Sequence, residues 1–523
     1  MTLKLFPPFM EGMVLQRGME TGVQGQAIPG AVVSIEFLGS QSSCLAGEDG
    51  TWLILLPAKT AGGPYSISIT ADMEKVTIQD VWVGDVWLCG GQSNMEMKME
   101  RVRQMFPEAM EVPSNPNIRQ FEVPQSPKFN EPRAYLEGGR WEAVSSETIT
   151  DFTAVGYFFA KRLYEKYSVP IGLIAAAVGG TPIHAWLPLG ILKDDTDAVS
   201  EVEACARDGY IETIQEEETT FTQAYMSALD RDDDGLREGW QELTYNDRLW
   251  PERSLCEPWD DDLSKPGIIW FRKKLTIPAS LAGKPATLFL GTIVDAETAY
   301  FNGTPLGSTD YRYPPREYSI PSLPEGSCVI SLRVQNKHGL GGFTPGKPRA
   351  LICQGRGIPL NDTWKYRRGT VQPPMPLQTN FTYKPTGLFN GMIMPVRHWA
   401  IKGVIWYQGE SDTDRAERYD EKCVALVKCW RELWGFQYPF LSVQLPYYAE
   451  TYGVDWEPLR KAQMAILSQP DTAIVFSQDI GEYNDLHPQN KLMIGERLAR
   501  AAMVIAYGEI LPPSPLWISC IPS

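Results

Sequence analysis

Histidine is scarce in this sequence, with 4 in 523 residues, so any chemistry that needs an imidazole has few candidates. No apolar run approaches the roughly 20 residues of a membrane-spanning helix. The opening Met1-Thr2-Leu3-Lys4-Leu5-Phe6-Pro7-Pro8 carries one positive charge and lacks the apolar centre of a signal peptide. The expected compartment is the cytoplasm, or a secreted or periplasmic one if a leader was removed. Cysteine is present but unorganised: the 9 Cys form no Cys-x-x-Cys pair, which suits reduced thiols better than a disulfide framework or a zinc site. No metal and no cofactor are expected. Positive charge is also short. With 48 Lys and Arg against 64 Asp and Glu the net charge is −16, which disfavours nucleic acid or an anionic membrane as a partner. Nothing in the sequence sets an oligomeric state.

Apolar residues are plentiful, at 43% of the chain, and 523 residues are too many for one core, so about three domains are expected. Residues 1–80 alternate short strand-like runs with turns, as in Ala31–Phe37 and Thr51–Leu56, and read as a small β domain. At Val81 the texture changes. Val81–Cys89 reads as a buried strand, 151–168 has helical spacing, and Ile171–Val178 is a second buried strand, an order that suggests a parallel α/β sheet. Residues 249–366 return to β texture, with runs at Ile268–Leu275, Ala286–Leu290 and Cys328–Val334. The α/β pattern then resumes with Ile401–Tyr407, a helix within 416–434, and Phe440–Leu445. The resulting expectation is an α/β domain in two parts, 81–248 and 367–512, split by an inserted β-sandwich at 249–366, with a tail at 513–523.

Four segments place Gly and polar residues just after a buried strand, the edge of an open parallel sheet where ligands bind. They are Gly90-Gly91-Gln92-Ser93-Asn94, Gly179-Gly180-Thr181-Pro182, Gln408-Gly409-Glu410-Ser411 and the stretch to Asn484-Asp485-Leu486-His487-Pro488. A serine at a strand-to-helix turn is exposed, and its backbone N–H points where a developing oxyanion would sit. Ser93 equally suits a plain helix N-cap ahead of Met95-Glu96-Met97, and the segment is not Gly-x-Ser-x-Gly. A serine nucleophile needs a base, for which histidine is the usual choice. His487 follows a strand and has Asp485 two positions before it. His184 is its rival near the Gly179-Gly180 turn, whereas His338 and His398 read as structural. Gly180 and Gln408 are candidate oxyanion donors, with turn formation and strand-end capping as their structural alternatives.

At these residues the chain resembles the sialate O-acetylesterase family within the SGNH/GDSL hydrolases. The matching stretches are Val86–Met95, Val178–Ile183 with Ala185-Trp186, Gly403–Ser411, and Asp485–Lys491 followed by Gly495-Glu496-Arg497-Leu498-Ala499. Gly12-Met13-Val14-Leu15-Gln16 is similar to the family's start. The resemblance implies an SGNH-type three-layer core with a parallel sheet and a galactose-binding-like insertion. It also implies that Ser93 attacks an acetyl carbonyl and His487 takes its proton, with Ser93, Gly180 and Gln408 lining the oxyanion hole. SGNH hydrolases generally place the orienting acid three residues before the histidine, where this chain has Asn484. Asp485 is one residue off, and Glu410 of the Gln-Gly-Glu segment is the other candidate. The expected function is removal of O-acetyl groups from sialic acid, with acetylxylan or another acetylated polysaccharide as the alternative substrate. The non-enzymatic alternative is a carbohydrate-binding protein whose esterase domain is inactive. The expected partner is thus a small molecule or glycan carrying O-acetyl groups.

Overall fold

The apolar run Val81–Cys89 lies inside one long strand, β1 (Glu74–Gly91), whose last residues are buried without a break. Parallel strands covered by helices on both faces read as continuous hydrophobic runs, and β1 has that character. In this computed structural model, which describes residues 3–259, 262–361, 363–449, 454–512 and 514–520, the chain divides into two compact units, residues 1–211 with 380–523, and residues 212–379.

The first unit is built on a mixed sheet. After β1 come β2 (Asn115–Glu122), β3 (Trp141–Val144), β4 (Ile171–Ala177), β5 (Gly403–Tyr407), β6 (Phe440–Val443), β7 (Thr472–Val475) and β8 (Trp517–Cys520). Their spatial order is β3-β2-β4-β1-β5-β6-β7-β8. From β2 to β7 neighbouring strands run parallel, and the two outer strands β3 and β8 are antiparallel to their neighbours. The chain fills one side of β1 first and the other side afterwards, so β1 lies at the point where strand order reverses. In open α/β sheets the crevice outside the carboxyl ends of the strands at that point is the usual ligand site.

Three helices pair with this sheet: α1 (Ser93–Glu96), α2 (Ala154–Tyr167) and α3 (Tyr419–Trp434). A fourth, α4 (Lys491–Ile505), follows the last turn and packs with α2. Thr153 caps α2 by accepting the Gly156 N–H, and Ser168 closes it in the left-handed region. The first half of β1 pairs instead with Gly62–Ala71 and Val14–Gln16, so residues 1–80 share a continuous strand with the parallel sheet and fall in the same unit. Asp85, buried in mid-β1, is held by a two-pronged pair with Arg17 (2.8 and 2.9 Å) and by the Tyr507 hydroxyl (2.8 Å). The stretch read as a tail contains β8, which adds to β7 at the sheet's end.

Among the described residues the second unit holds two larger antiparallel sheets and a small two-stranded one, Ile293–Val294 with Gly342–Phe343. One larger sheet has the order Glu252–Ser254, Thr363–Val371, Gly267–Ile277, Gly326–Asn336, Ala296–Phe301, Thr304–Thr309; the other has Arg316–Ile320, Ala286–Gly291, Ala350–Cys353, Arg356–Pro359. They share a core that includes Phe271, Leu288, Leu332 and Trp364. This unit starts earlier than the β texture at 249, because the helix Tyr210–Arg231 buries Tyr225 and Leu229 against Trp240, Trp250 and Trp270.

At the end of β1 the backbone tolerates no side chain. Gly91 has φ +132°, and a Cβ there would lie 2.1 Å from the Tyr407 carbonyl oxygen. Gly91→Ala is therefore expected to destabilise the protein by about 2–4 kcal/mol through strain and overpacking, seen as a lower denaturant midpoint; an unchanged midpoint would contradict this account of the turn.

Candidate active site

The turns after β4, β1 and β5 lie side by side because those strands are neighbours. The Gln92 N–H donates to the Tyr407 carbonyl (2.9 Å) and the Val178 N–H to the Gly91 carbonyl (3.1 Å), so the turn after β1 is tied to both flanking strands. Ser93 opens α1 and is partly exposed, whereas Gln92 and Asn94 on either side are buried. That contrast gives a reachable hydroxyl on a fixed backbone.

Across the crevice, the chain after β7 brings His487 back towards β1. Its Nε2 lies 2.9 Å from Ser93 Oγ, although 394 positions separate them in sequence. Asp485 shapes this loop. Its Oδ1 accepts the His487 backbone N–H at 2.8 Å, an Asx turn, and lies 3.8 Å from His487 Nδ1, beyond direct hydrogen-bond reach. Glu410 sits on the other side of the serine turn, where its carboxylate accepts from Asn94 Nδ2. Burial pushes the Glu410 carboxyl up from the ordinary carboxylate range. The structure thus brings Ser93, His487 and Asp485 together, and joins Glu410 to Asn94 rather than to the imidazole.

The two expected oxyanion donors have different surroundings. The turn holding Gly180 is next to Ser93: a Cβ added at Gly179 would lie 3.6 Å from Ser93 Cβ. Gly180 has φ +75°, and a Cβ there would meet the Tyr383 hydroxyl at 2.0 Å, so only glycine fits. The Glu96 carboxylate beside this turn accepts from Gln125 Nε2 (2.6 Å), and burial raises its pKa. Gln408 is fully buried, and its amide is directed into the protein. Its Nε2 donates to Asp412 Oδ2 (2.6 Å), Thr181 O (3.2 Å) and Gln92 Oε1 (3.2 Å), while its Oε1 accepts from the Tyr419 hydroxyl (2.8 Å).

Sequence reasoning passed over the side chains that join these turns. Gln92 Oε1 also accepts the Gly409 and Ser411 N–H groups (3.2 and 3.3 Å), and Asp412 Oδ2 accepts the Ile183 N–H (2.9 Å). Gln92 stitches β1 to β5, and Asp412 stitches β5 to β4. Their positions beside strand-terminal glycines were the available signal. His184 has a different duty: its Nε2 lies 3.0 Å from the Tyr383 carbonyl, its own carbonyl accepts the Thr386 N–H, and burial pushes its pKa down to about 4. His398 likewise serves the backbone, accepting the Gly22 N–H at its carbonyl. Among the described residues no cluster of three or more His, Cys, Asp or Glu could hold a metal ion, and all nine cysteines are free thiols.

The sequence model of the sialic acid-specific acetylesterases, a carbohydrate esterase family, matches residues 83–216 and 378–504. A sialate O-acetylesterase of Rattus norvegicus is 30% identical over 536 residues, covering 95% of this chain and 72% of the rat protein. The chain belongs to the sialate O-acetylesterase family. Members of that family are carboxylic ester hydrolases by name. Those of Pongo abelii and Homo sapiens are each 30% identical to this chain over 191 residues, an alignment spanning 36% of their own length. A solved carbohydrate acetylesterase from Xanthomonas citri aligns with a TM-score of 0.60 at 26% identity, covering 98% of this chain and 77% of that one. The family match leaves out 217–377, nearly all of the second unit, and retains all four turns of the site.

Because Gln408 serves several buried groups at once, Gln408→Ala is expected to destabilise the fold by about 1–3 kcal/mol, the cost of leaving buried polar partners unsatisfied. Thermal melting checks this; a stable variant that loses only turnover would instead make Gln408 a donor to the substrate.

Proposed function

We propose that this protein is a serine esterase that removes O-acetyl groups from sialic acid through an acetyl-enzyme. The observation that carries the reading is the 2.9 Å contact between Ser93 Oγ and His487 Nε2 at the carboxyl edge of a parallel sheet. Ser93 Oγ attacks the acetyl carbonyl carbon as His487 Nε2 takes the hydroxyl proton. The carbonyl oxygen becomes an oxyanion, stabilised by the backbone N–H groups of Ser93 and Gly180. The intermediate collapses by breaking the bond to the sugar oxygen, which leaves with the proton from His487. Water, deprotonated by His487, then attacks the acetyl-Ser93 ester; the bond to Ser93 Oγ breaks, Oγ takes the proton back from His487, and acetate leaves.

In this reading Asp485 orients His487 through the loop it shapes, and a modest closure of the 3.8 Å gap brings its carboxylate onto Nδ1. Gln408 holds the neighbouring turns in register for the two backbone donors. The first unit is then an SGNH-type core and the second a galactose-binding-like β-sandwich. The net charge of −16 opposes long-range capture of an anionic sugar, so the pocket itself must select sialic acid.

Ser93→Ala and His487→Ala are each expected to lower turnover of 4-nitrophenyl acetate by about 10³-fold or more while the fold melts normally. Unchanged turnover in Ser93→Ala would end the assignment of the nucleophile. Of Asp485→Asn and Glu410→Gln, the first is expected to cost at least about 100-fold in kcat; if only the second does so, Glu410 is the orienting acid. Acetate release from O-acetylated sialic acid is expected to exceed that from acetylxylan, and the reverse order would move the substrate to neutral polysaccharides.

A further inference from the structure

Lys491, the first residue of α4, has no exposed surface. Lysine is almost never fully buried unless it is paired, because an ammonium removed from water costs several kcal/mol that an apolar side chain of the same volume does not. Its Nζ donates to Asn94 Oδ1 and stands 5.4 Å from the centre of the Tyr407 ring. Asn94 is equally buried, and its Nδ2 serves two further segments: it donates to the Glu410 carboxylate and, at 3.0 Å, to the Leu486 carbonyl. Through one amide, a single ammonium joins the residue after the nucleophile, the residue before the base, and the turn after β5.

We propose that Lys491 is a positioning residue for this site: acting through Asn94, it fixes the Ser93 turn against the His487 loop and supplies the counter-charge to Glu410. The inference rests on the Ser93–His487 reading of the active site. Without that ammonium the Asn94 Oδ1 would lose its partner at the point where the three segments are bridged, and the Glu410 carboxylate would be left beside Asp412 without the Lys491 charge.

The charge of this group is sensitive to pH. Burial pushes the ammonium down to about 7; the carboxylates of Glu410, Asp485 and Glu482 act to hold it up, and Arg101 opposes them. A lowered lysine pKa means that the positive charge is present below that value and lost as pH rises through it. The Lys491 contribution to turnover is therefore greatest on the acid side and falls on the alkaline side, where the Glu410 counter-charge disappears.

The test compares wild type, Lys491→Met, Glu410→Gln and the double variant, each by melting and by kcat and KM for 4-nitrophenyl acetate across pH. Lys491→Met is expected to lower kcat at least about tenfold with KM changed little, the signature of lost transition-state positioning rather than lost binding. Because Lys491→Met can fail to fold with Glu410 left uncompensated, the double variant is compared with Glu410→Gln, where no such carboxylate remains. There too kcat should fall by at least about tenfold at equal melting temperature. Wild-type kcat should decline above about pH 7, and the decline should be absent from Lys491→Met. A folded Lys491→Met, or a folded double variant, with kcat within about twofold of its parent overturns the proposal, as does a loss confined to KM. If wild type itself does not turn over the ester, the esterase reading fails instead.

Discussion

A serine hydroxyl and an imidazole nitrogen at 2.9 Å are the contact on which the site depends, and 394 residues of chain separate them. A contact of that span is held by the register of the strands beneath it, because sliding β5 or β7 by one residue against its neighbour would turn every side chain to the other face. The parallel pairing of Tyr407 with Gly91 and of Val443 with Val475 fixes that register where the turns leave the sheet. Glycine at 91 is part of the same constraint, since the backbones of β1 and β5 approach too closely there for a Cβ.

Above the sheet, the turns are tied to one another by buried polar groups as well as by apolar packing. Gln92, Gln408, Asp412, Asn94 and Lys491 are all buried, and each spans two or more turns. A buried polar network is costly when partly satisfied and rigid when fully satisfied. Here it forms a floor under a serine that stays partly exposed, so the hydroxyl is reachable while its turn is tied to both flanking strands. A catalytic constellation held within about 0.5 Å of its productive geometry needs support of this kind.

Much of this was legible in the sequence, for a definite reason. Strands buried on both faces read as mostly apolar runs, and β1, β4, β5, β6 and β7 announce themselves in that way, with glycine at or within two residues of the end in β1, β4 and β5. The strands β2, β3 and β8, at or next to the sheet's edges, mix polar with apolar residues, and one of them lies in a stretch read as a tail. The acidic helix Tyr210–Arg231 gave no β texture, so the second unit reads shorter in sequence than it is. Ser93 was visible because it stands just past a strand end, and His487 because histidine is rare and it lies in the loop that follows a strand with Asp485 two positions before it. Gln408 was expected to face the substrate, yet its amide is engaged by Asp412, Thr181 and Gln92, a set of long-range partners that spacing does not reveal. Lys491 carried a readable sign: with Ile494, Leu498 and Ala502 it lies on the buried face of α4, where a lysine is out of place.

In the proposed mechanism Ser93 carries the acetyl group between the two halves of the reaction. Acid quenching during turnover of an O-acetylated sialic acid, followed by mass analysis of the digested protein, tests it directly. One acetyl group is expected, on the peptide that contains Ser93, and none there in Ser93→Ala. Steady acetate release with no acetylated Ser93 peptide, or an acetyl group trapped on another residue, would contradict it.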